Sequence, residues 1–209
     1  MAVTKFRGAG EAGEAWDAGV RLFGESRVQE AVAKLGGFRG TRPGAEIHLI
    51  GSLQRNKAKA AAAFFDGVQS VDRESLADEL ARVCAGRESP LPVLLEWRTG
   101  EESKNGFADE PALLRATETI LASPFLEIRG LMTMAPFVDD EPALRGAFRA
   151  LARLRDGMAR RYPAAGRWDC LSMGMSGDFE LAVEEGSTLV RIGGAIFGAD
   201  EAAGKGNER

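Results

Sequence analysis

The stretch LSMGMSGDFELAVEEGSTLVRIGGAIFG, residues 171–198, places an apolar run, a small-residue turn, a short helical pattern and a second apolar run in succession. The turn begins Met175-Ser176-Gly177, and ELAVEEG closes on Gly186, a natural helix C-cap. The second run carries the double glycine of Arg191-Ile192-Gly193-Gly194. Strand, helix and strand in that order read as parallel strands joined by a crossover helix.

The same alternation extends back through the chain. β-rich runs fall at 2–6, 21–25, 46–51, 67–71, 92–99, 127–134, 168–174 and 188–197. Helical patterns separate them. EAGEAWDAGV carries Ala and Trp at helical spacing, and Val28, Ala31, Val32 and Leu35 form an i, i+3, i+4, i+7 stripe. A further helix follows Asp72, and a long one runs from Glu141 to Tyr162 before Pro163 ends it. Lys104-Asn105-Gly106 reads as a turn. Eight such units predict an α/β fold, a single-domain (β/α)8 TIM-type barrel over residues 1–198, with 199–209 as a frayed tail. The alternative is an open doubly wound sheet.

Composition narrows the function classes. The chain has 209 residues, 44% of them apolar, which suffices for one core. Its 27 basic and 31 acidic side chains are interspersed, so no basic stripe marks a nucleic-acid partner. Cys84 and Cys170 share no CxxC spacing, which argues against a disulfide framework or a metal site and fits a reducing, cytoplasmic setting. No apolar run reaches the roughly 18 residues of a membrane span, and MAVTKFRG lacks the apolar core of a signal peptide.

Several residues bear on chemistry. GAGEAG, residues 8–13, matches GxGxxG, and Glu25 stands where a ribose-binding acid would belong. However, the preceding run carries Lys5 and Arg7, whereas a dinucleotide-binding first strand is apolar, so a flexible turn is the preferred reading over a nicotinamide site. In a barrel, phosphate sites gather in the loops after strands 7 and 8, where Ser176 and Gly193-Gly194 fall. Ser176 offers a hydroxyl and a cap for the next helix, and the glycines let backbone N–H groups approach an anion. The plain alternative is a cap and a bent strand. Lys5, placed on the first strand, is either an exposed lysine beside Arg7 or a barrel lysine that burial favours as a neutral amine for Schiff-base chemistry. A phosphate cradle and a lysine in one barrel mouth point to pyridoxal 5′-phosphate.

AVTK, FGES…VQEA, HLIGSLQRNKAK, SVDRESLA, ESKNG, GLMTMAP and the 171–198 stretch, in order along nearly the whole chain, resemble the pyridoxal phosphate homeostasis proteins. These are single-domain relatives of the alanine racemase N-terminal barrel. The resemblance implies a cytoplasmic monomer that holds the cofactor as a lysine aldimine and maintains vitamin B6 and amino-acid balance, without robust catalysis and with apo-enzymes as possible recipients. It assigns Lys5 as the aldimine lysine and Ser176, Gly193 and Gly194 as the phosphate cradle. Arg191 becomes the arginine facing the pyridine nitrogen, and Asn56 a residue of a loop near the mouth. The chain departs from the family in starting almost on its first strand, where the family has a preceding helix; a late-called start is the favoured explanation over a missing floor helix. It also departs in Ser26, where the family has Asn, and in GAGEAG, which is expected to loosen the loop after Lys5.

The residue inventory favours a binder over the alternative, a fold-type III enzyme such as a weak amino-acid racemase. The one tyrosine, Tyr162, precedes strand 7 and so belongs to the face opposite the site. The one histidine, His48, on strand 3, is either a second base inside the barrel or a satisfied core histidine. A charged arginine at the ring nitrogen disfavours its protonation and weakens the ring as an electron sink. Arg55, Lys57 and Lys59 read as a solvated helix face, or else as an anion-attracting rim. Met132, Met134, Met173 and Met175 read as packing, with Met175 bordering the cradle.

Overall fold

The computed structural model describes residues 1–100 and 105–198. Lys104 of the expected turn and the 199–209 tail lie outside the described residues. The strands are β1 (Ala2–Val3), β2 (Leu22–Glu25), β3 (Glu46–Leu49), β4 (Gly67–Val71), β5 (Leu91–Glu96), β6 (Leu126–Met132), β7 (Cys170–Met175) and β8 (Leu189–Arg191). They pair in parallel, in sequence order, in one 8-stranded sheet. β8 meets β1 through an Ala2–Ile192 bridge, in which Val3 N–H donates to Ile192 O at 2.8 Å and Ile192 N–H donates to Met1 O at 3.0 Å. The order is circular, as in a (β/α)8 barrel, and the doubly wound alternative, whose strand order reverses at a switch point, does not hold.

The helices are α1 (Ala9–Asp17), α2 (Val28–Leu35), α3 (Phe38–Thr41), α4 (Ala58–Phe64), α5 (Glu74–Val83), α6 (Glu110–Leu121), α7 (Glu141–Arg161), α8 (Phe179–Glu184) and α9 (Gly194–Phe197), with a 3-10 turn at Arg55–Lys57. Strands sheathed by helices are buried on both faces. Ile47, Leu49, Val68, Leu95 and Leu131 of the strands and Leu35, Leu76, Leu80, Leu113 and Phe148 of the helices lose all contact with solvent. Burying each such side chain stabilises the fold by about 1.5–3 kcal/mol. α6 and α7 open on the same device: Asp109 and Asp140 accept from the Ala112 and Ala143 N–H groups at 2.9 and 3.1 Å, and proline occupies the first turn.

Four local expectations are corrected. β1 ends at Val3, so Lys5 lies in the following turn rather than on the strand. β8 ends at Arg191, and 194–197 is helical; a short apolar run such as AIF suits either state. GAGEAG is no flexible turn: Gly8 is the N-cap of α1, and its N–H donates to the Glu11 carboxylate at 2.8 Å. Val32 is 43% exposed, so the buried stripe of α2 is Val28, Ala31 and Leu35.

Candidate functional site

Two large cavities open at opposite ends of the barrel. The larger, about 610 Å³, is lined by residues near the strand starts, among them Leu22, Glu46, His48, Pro92, Cys170 and Leu189. Two of its charged residues are already matched, Arg129 to Asp169 at 2.9 Å and Asp66 to Arg39 at 2.5 Å. The smaller, about 380 Å³, lies at the strand ends and is lined by Lys5, Ser26, Glu96, Met175, Ser176, Arg191, Gly193 and Gly194 among others. Size favours the first cavity. Chemistry favours the second, because a primary amine, backbone N–H donors, a carboxyl and a guanidinium converge there, at the barrel face that carries (β/α)8 active sites.

Lys5 sits in the turn Thr4–Arg7, closed by Arg7 N–H donating to Thr4 O at 2.9 Å. Phe6 takes φ 65°, a left-handed conformation rare for a bulky residue. Such strain needs firm support, and Thr4 supplies it. Fully buried, Thr4 donates its hydroxyl to Glu25 and its N–H to Gly24 O at 3.0 Å, and its carbonyl accepts from Lys34 Nζ at 2.7 Å. Lys34 in turn pairs with Glu25 at 2.6 Å. Glu25, committed to Thr4 and Lys34, serves the turn and not a ribose. Lys34 is therefore a fixed counter-ion, whereas Lys5 is exposed and its amine has no hydrogen-bond acceptor among the described residues. Of the two readings of Lys5, the exposed lysine holds.

Gly174 gives β7 its exit. At φ +97°, with a Cβ position only 2.7 Å from the Ala182 Cβ, it lets the chain turn tightly into α8. Asp178 Oδ1 accepts from Met175 N–H at 2.5 Å and so closes the turn. Ser176 does not cap α8, contrary to expectation, because the N-cap is Asp178. Its hydroxyl instead faces the last loop and accepts from the N–H groups of Gly193 and Ala195, both at 3.3 Å. These bonds are long, and both donors belong to the start of α9. A Cβ on Gly194 would point to within 3.9 Å of the Ser176 hydroxyl, with nothing else nearby. Glycine therefore keeps a small space open beside donors that lack a strong acceptor.

Arg191 ends β8 and is 4% exposed. It donates to Ser172 Oγ and to Thr133 O, both at 2.8 Å. Burial pushes its pKa down to about 10, which leaves it a cation at neutral pH. Glu96, at the end of β5, is 2% exposed. Burial, helped by the negative Asp72 and opposed by Arg191, pushes its carboxyl up to about 7.

The structure thus brings Lys5, Ser176, Arg191, Gly193 and Gly194 to one cavity. Asn56 does not join them: it lies exposed on the Arg55–Lys57 turn, outside the cavity lining. His48 lines the opposite cavity, with its pKa lowered to about 4 by burial, so it does not supply a second base at the mouth. Tyr162, stacked on Trp168 with centroids 6.4 Å apart, also lies away from the mouth. Met132 and Met173 are buried in the core, whereas Met134 and Met175 border the mouth.

The family of the alanine racemase N-terminal domain matches residues 1–201. A pyridoxal phosphate homeostasis protein of Vibrio cholerae is 44% identical over 95% of this chain and 84% of its own length. That of Aquifex aeolicus is 38% identical over 88% of this chain and 79% of its own. The chain belongs to the pyridoxal phosphate homeostasis family. Among solved structures, PipY of Synechococcus elongatus with pyridoxal phosphate bound is 35% identical, with a TM-score of 0.86 over 95% of this chain and 91% of that one. Alanine racemase of Bacillus anthracis shares the fold alone, with a TM-score of 0.70 at 18% identity over 95% of this chain and 50% of that one.

Family motifs locate the cavity's lysine, arginine and turns, but Glu96, Thr4 and the Glu25–Lys34 pair escaped the sequence reading. A signal existed for Glu96, since PVLLEW sets one carboxylate inside an otherwise apolar run. Ser26, the family's departure from Asn, lines the mouth. Among the described residues no cluster of His, Cys, Asp or Glu suits a metal, and no helix is long and apolar enough to cross a membrane.

Proposed function

We propose that the barrel mouth binds pyridoxal 5′-phosphate and that the chain holds this cofactor in intracellular vitamin B6 and amino-acid homeostasis, without robust catalysis. The observation that carries the reading is the convergence of Lys5, Ser176, Arg191, Gly193 and Gly194 on one cavity of about 380 Å³. The donor set fits the group. A primary amine with no hydrogen-bond acceptor among the described residues suits an aldehyde, the N–H groups around the Gly194 space suit a phosphate, and a buried cation suits a pyridine nitrogen that stays unprotonated. That PipY, 35% identical, has been solved with pyridoxal phosphate bound supports the choice of cofactor. When bound, the cofactor supplies an aldehyde reactive toward amines and an electron-withdrawing ring.

The chain's own residues then divide the work. The Thr4–Glu25–Lys34 cluster fixes the turn that presents Lys5 Nζ. Ser176 and the start of α9 orient the phosphate. Arg191 keeps a donor, not an acid, at the ring nitrogen. We take residues 1–198 as one binding unit that acts as a monomer, and its free cysteines suit the cytoplasmic setting we assign it. Cofactor-accepting apo-enzymes are its proposed recipients, and Phe137, 94% exposed on the cavity rim, offers an apolar contact to such a partner. A second reading, a weak racemase, is favoured by Glu96, whose carboxyl near neutrality in the same cavity is a potential proton carrier.

The test is borohydride reduction of the loaded protein followed by peptide mass mapping. The expected adduct lies on Lys5 and disappears in Lys5→Ala; an adduct on another lysine refutes the site. Chiral analysis of alanine incubated with the loaded protein separates the two readings. Turnover that depends on Glu96 supports the racemase, and its absence supports the holder.

A further inference from the structure

Arg191 does not stop at its two anchors. It donates to Ser172 Oγ at 2.8 Å, Ser172 donates to Gln69 Oε1 at 2.7 Å, and Gln69 Nε2 meets His48 Nδ1 at 3.0 Å. Gln69 and Ser172 stand 103 positions apart, on the non-adjacent strands β4 and β7, so this bond crosses the barrel interior. Ser172 has no exposed surface, and Gln69 is 1% exposed. One end of the chain of bonds lines the mouth cavity and the other lines the cavity at the strand starts.

The chemistry of the ends fixes the direction of every bond. A guanidinium only donates, so Ser172 Oγ accepts from Arg191 and its own proton goes to Gln69 Oε1. The Gln69 amide must then present its N–H to His48. Nδ1 must accept, which leaves the proton of the neutral imidazole on Nε2. The opposite amide orientation would give Ser172 two donors and leave its own proton without the Gln69 acceptor. Space is provided for this arrangement: the His48 ring lies 2.8 Å from where a Cβ of Gly67 would stand, so only glycine admits it.

Resting on the reading of the mouth as a pyridoxal phosphate site, we propose that Ser172, Gln69 and His48 are positioning residues that hold Arg191 against the cofactor ring and couple its placement to the far end of the barrel. A guanidinium pinned at Ser172 and Thr133 cannot swing toward the carboxyl of Glu96 or toward solvent. Buried hydrogen-bonded chains of this kind are costly to cut, since each cut strands a desolvated partner.

The chain's one histidine makes the test direct. The full-length protein, labelled with 15N and freed of any tag, is observed by long-range 1H–15N correlation before and after loading with pyridoxal phosphate. The expected result is the Nε2-protonated tautomer at neutral pH, and a change in the His48 ring signals on loading. In Ser172→Ala the loading response of His48 should vanish and cofactor affinity should fall about tenfold, as for loss of one charge-assisted bond, while the reduced cofactor still maps to Lys5. Gln69→Met cuts the same chain one link further on and should likewise abolish the His48 response, should Ser172→Ala fail to fold. An Nδ1-protonated ring, a silent His48 in the loaded parent, or an undiminished response in the cut variants overturns the positioning chain alone. Absence of any Lys5 adduct in the parent overturns the site reading, and the chain's role with it.

Discussion

Replacing Glu96 by Gln should make the protein more stable at alkaline pH and nearly leave it alone in mild acid. Glu96 is 2% exposed, and its carboxyl is raised from 4.5 to about 7, first by burial, then by Asp72. A carboxyl whose folded pKa is raised binds its proton more tightly in the folded state. Its contribution is therefore intact below pH 4.5 and is lost as pH climbs through about 7. At ~1.4 kcal/mol per unit, the full window has a limit of about 3 kcal/mol, of which roughly 2–3 kcal/mol falls between pH 5 and pH 8. Gln keeps the shape and never ionises, so the variant escapes that loss. His48 titrates oppositely. Its pKa is lowered to about 4, so stability falls as pH drops from 6.5 toward that value, but the term is common to both proteins and cancels in their difference. Thermal unfolding of parent and variant at pH 5 and pH 8 measures the effect. For a chain of 209 residues, the gap between them should widen by about 5–10 °C at the higher pH. Parallel stability curves would refute the reasoning, for they would mean that Glu96 is solvated or paired well enough to ionise freely.

Two further substitutions probe the floor and the wall of the site. Lys34→Met strands the Glu25 carboxylate, 2% exposed, with Thr4 as its remaining partner, and should cost about 3–5 kcal/mol in urea unfolding. Adding Glu25→Gln should restore most of that loss; a double variant as weak as the single would refute the pairing argument. In Gly194→Val the added Cβ meets Ser176 Oγ at 3.9 Å, an ordinary van der Waals contact, so the melting temperature should hold while affinity for pyridoxal phosphate drops about 10–100-fold. Unchanged affinity by fluorescence titration would move the phosphate elsewhere.

The barrel was legible because its units repeat: each apolar run and helical stripe votes for the same parallel alternation, and errors at the ends of single elements leave the vote unchanged. Those errors have local causes. Lys5 reads as a strand residue because AVTKF alternates suitably, but the turn that ends β1 depends on Thr4 being held by Glu25 and Lys34, contacts that the spacing does not reveal. Ser176 reads as a cap because serine commonly is one. Asp178 closes that turn instead, and the hydroxyl is released to the loop after β8. His48 reads as a strand residue, but spacing does not give its depth in the barrel. Its register opposite Gly67, the first residue of β4, sets it near the strand starts and away from the mouth.

Buried polar groups give the proposed holder a fixed partner for the ring. A parallel barrel with an apolar interior would offer a pyridine ring no fixed partner. Here Gln69 and Ser172 sit within strands that otherwise read as core, and they bear on Arg191 directly or through one another, while the backbone carbonyl of Thr133, just past β6, accepts from its other arm. The arginine that they hold stays charged at neutral pH even after burial has lowered its pKa to about 10. A cation held at the ring nitrogen disfavours protonation there, and protonation is what strengthens the ring as an electron sink. Neither His48 nor Tyr162 reaches the mouth to act as a second base. On the proposed reading of the mouth, the residues that secure the ring would also weaken it for carbanion chemistry, and Glu96, with its carboxyl pushed up to about 7, is the group that residual proton transfer would use.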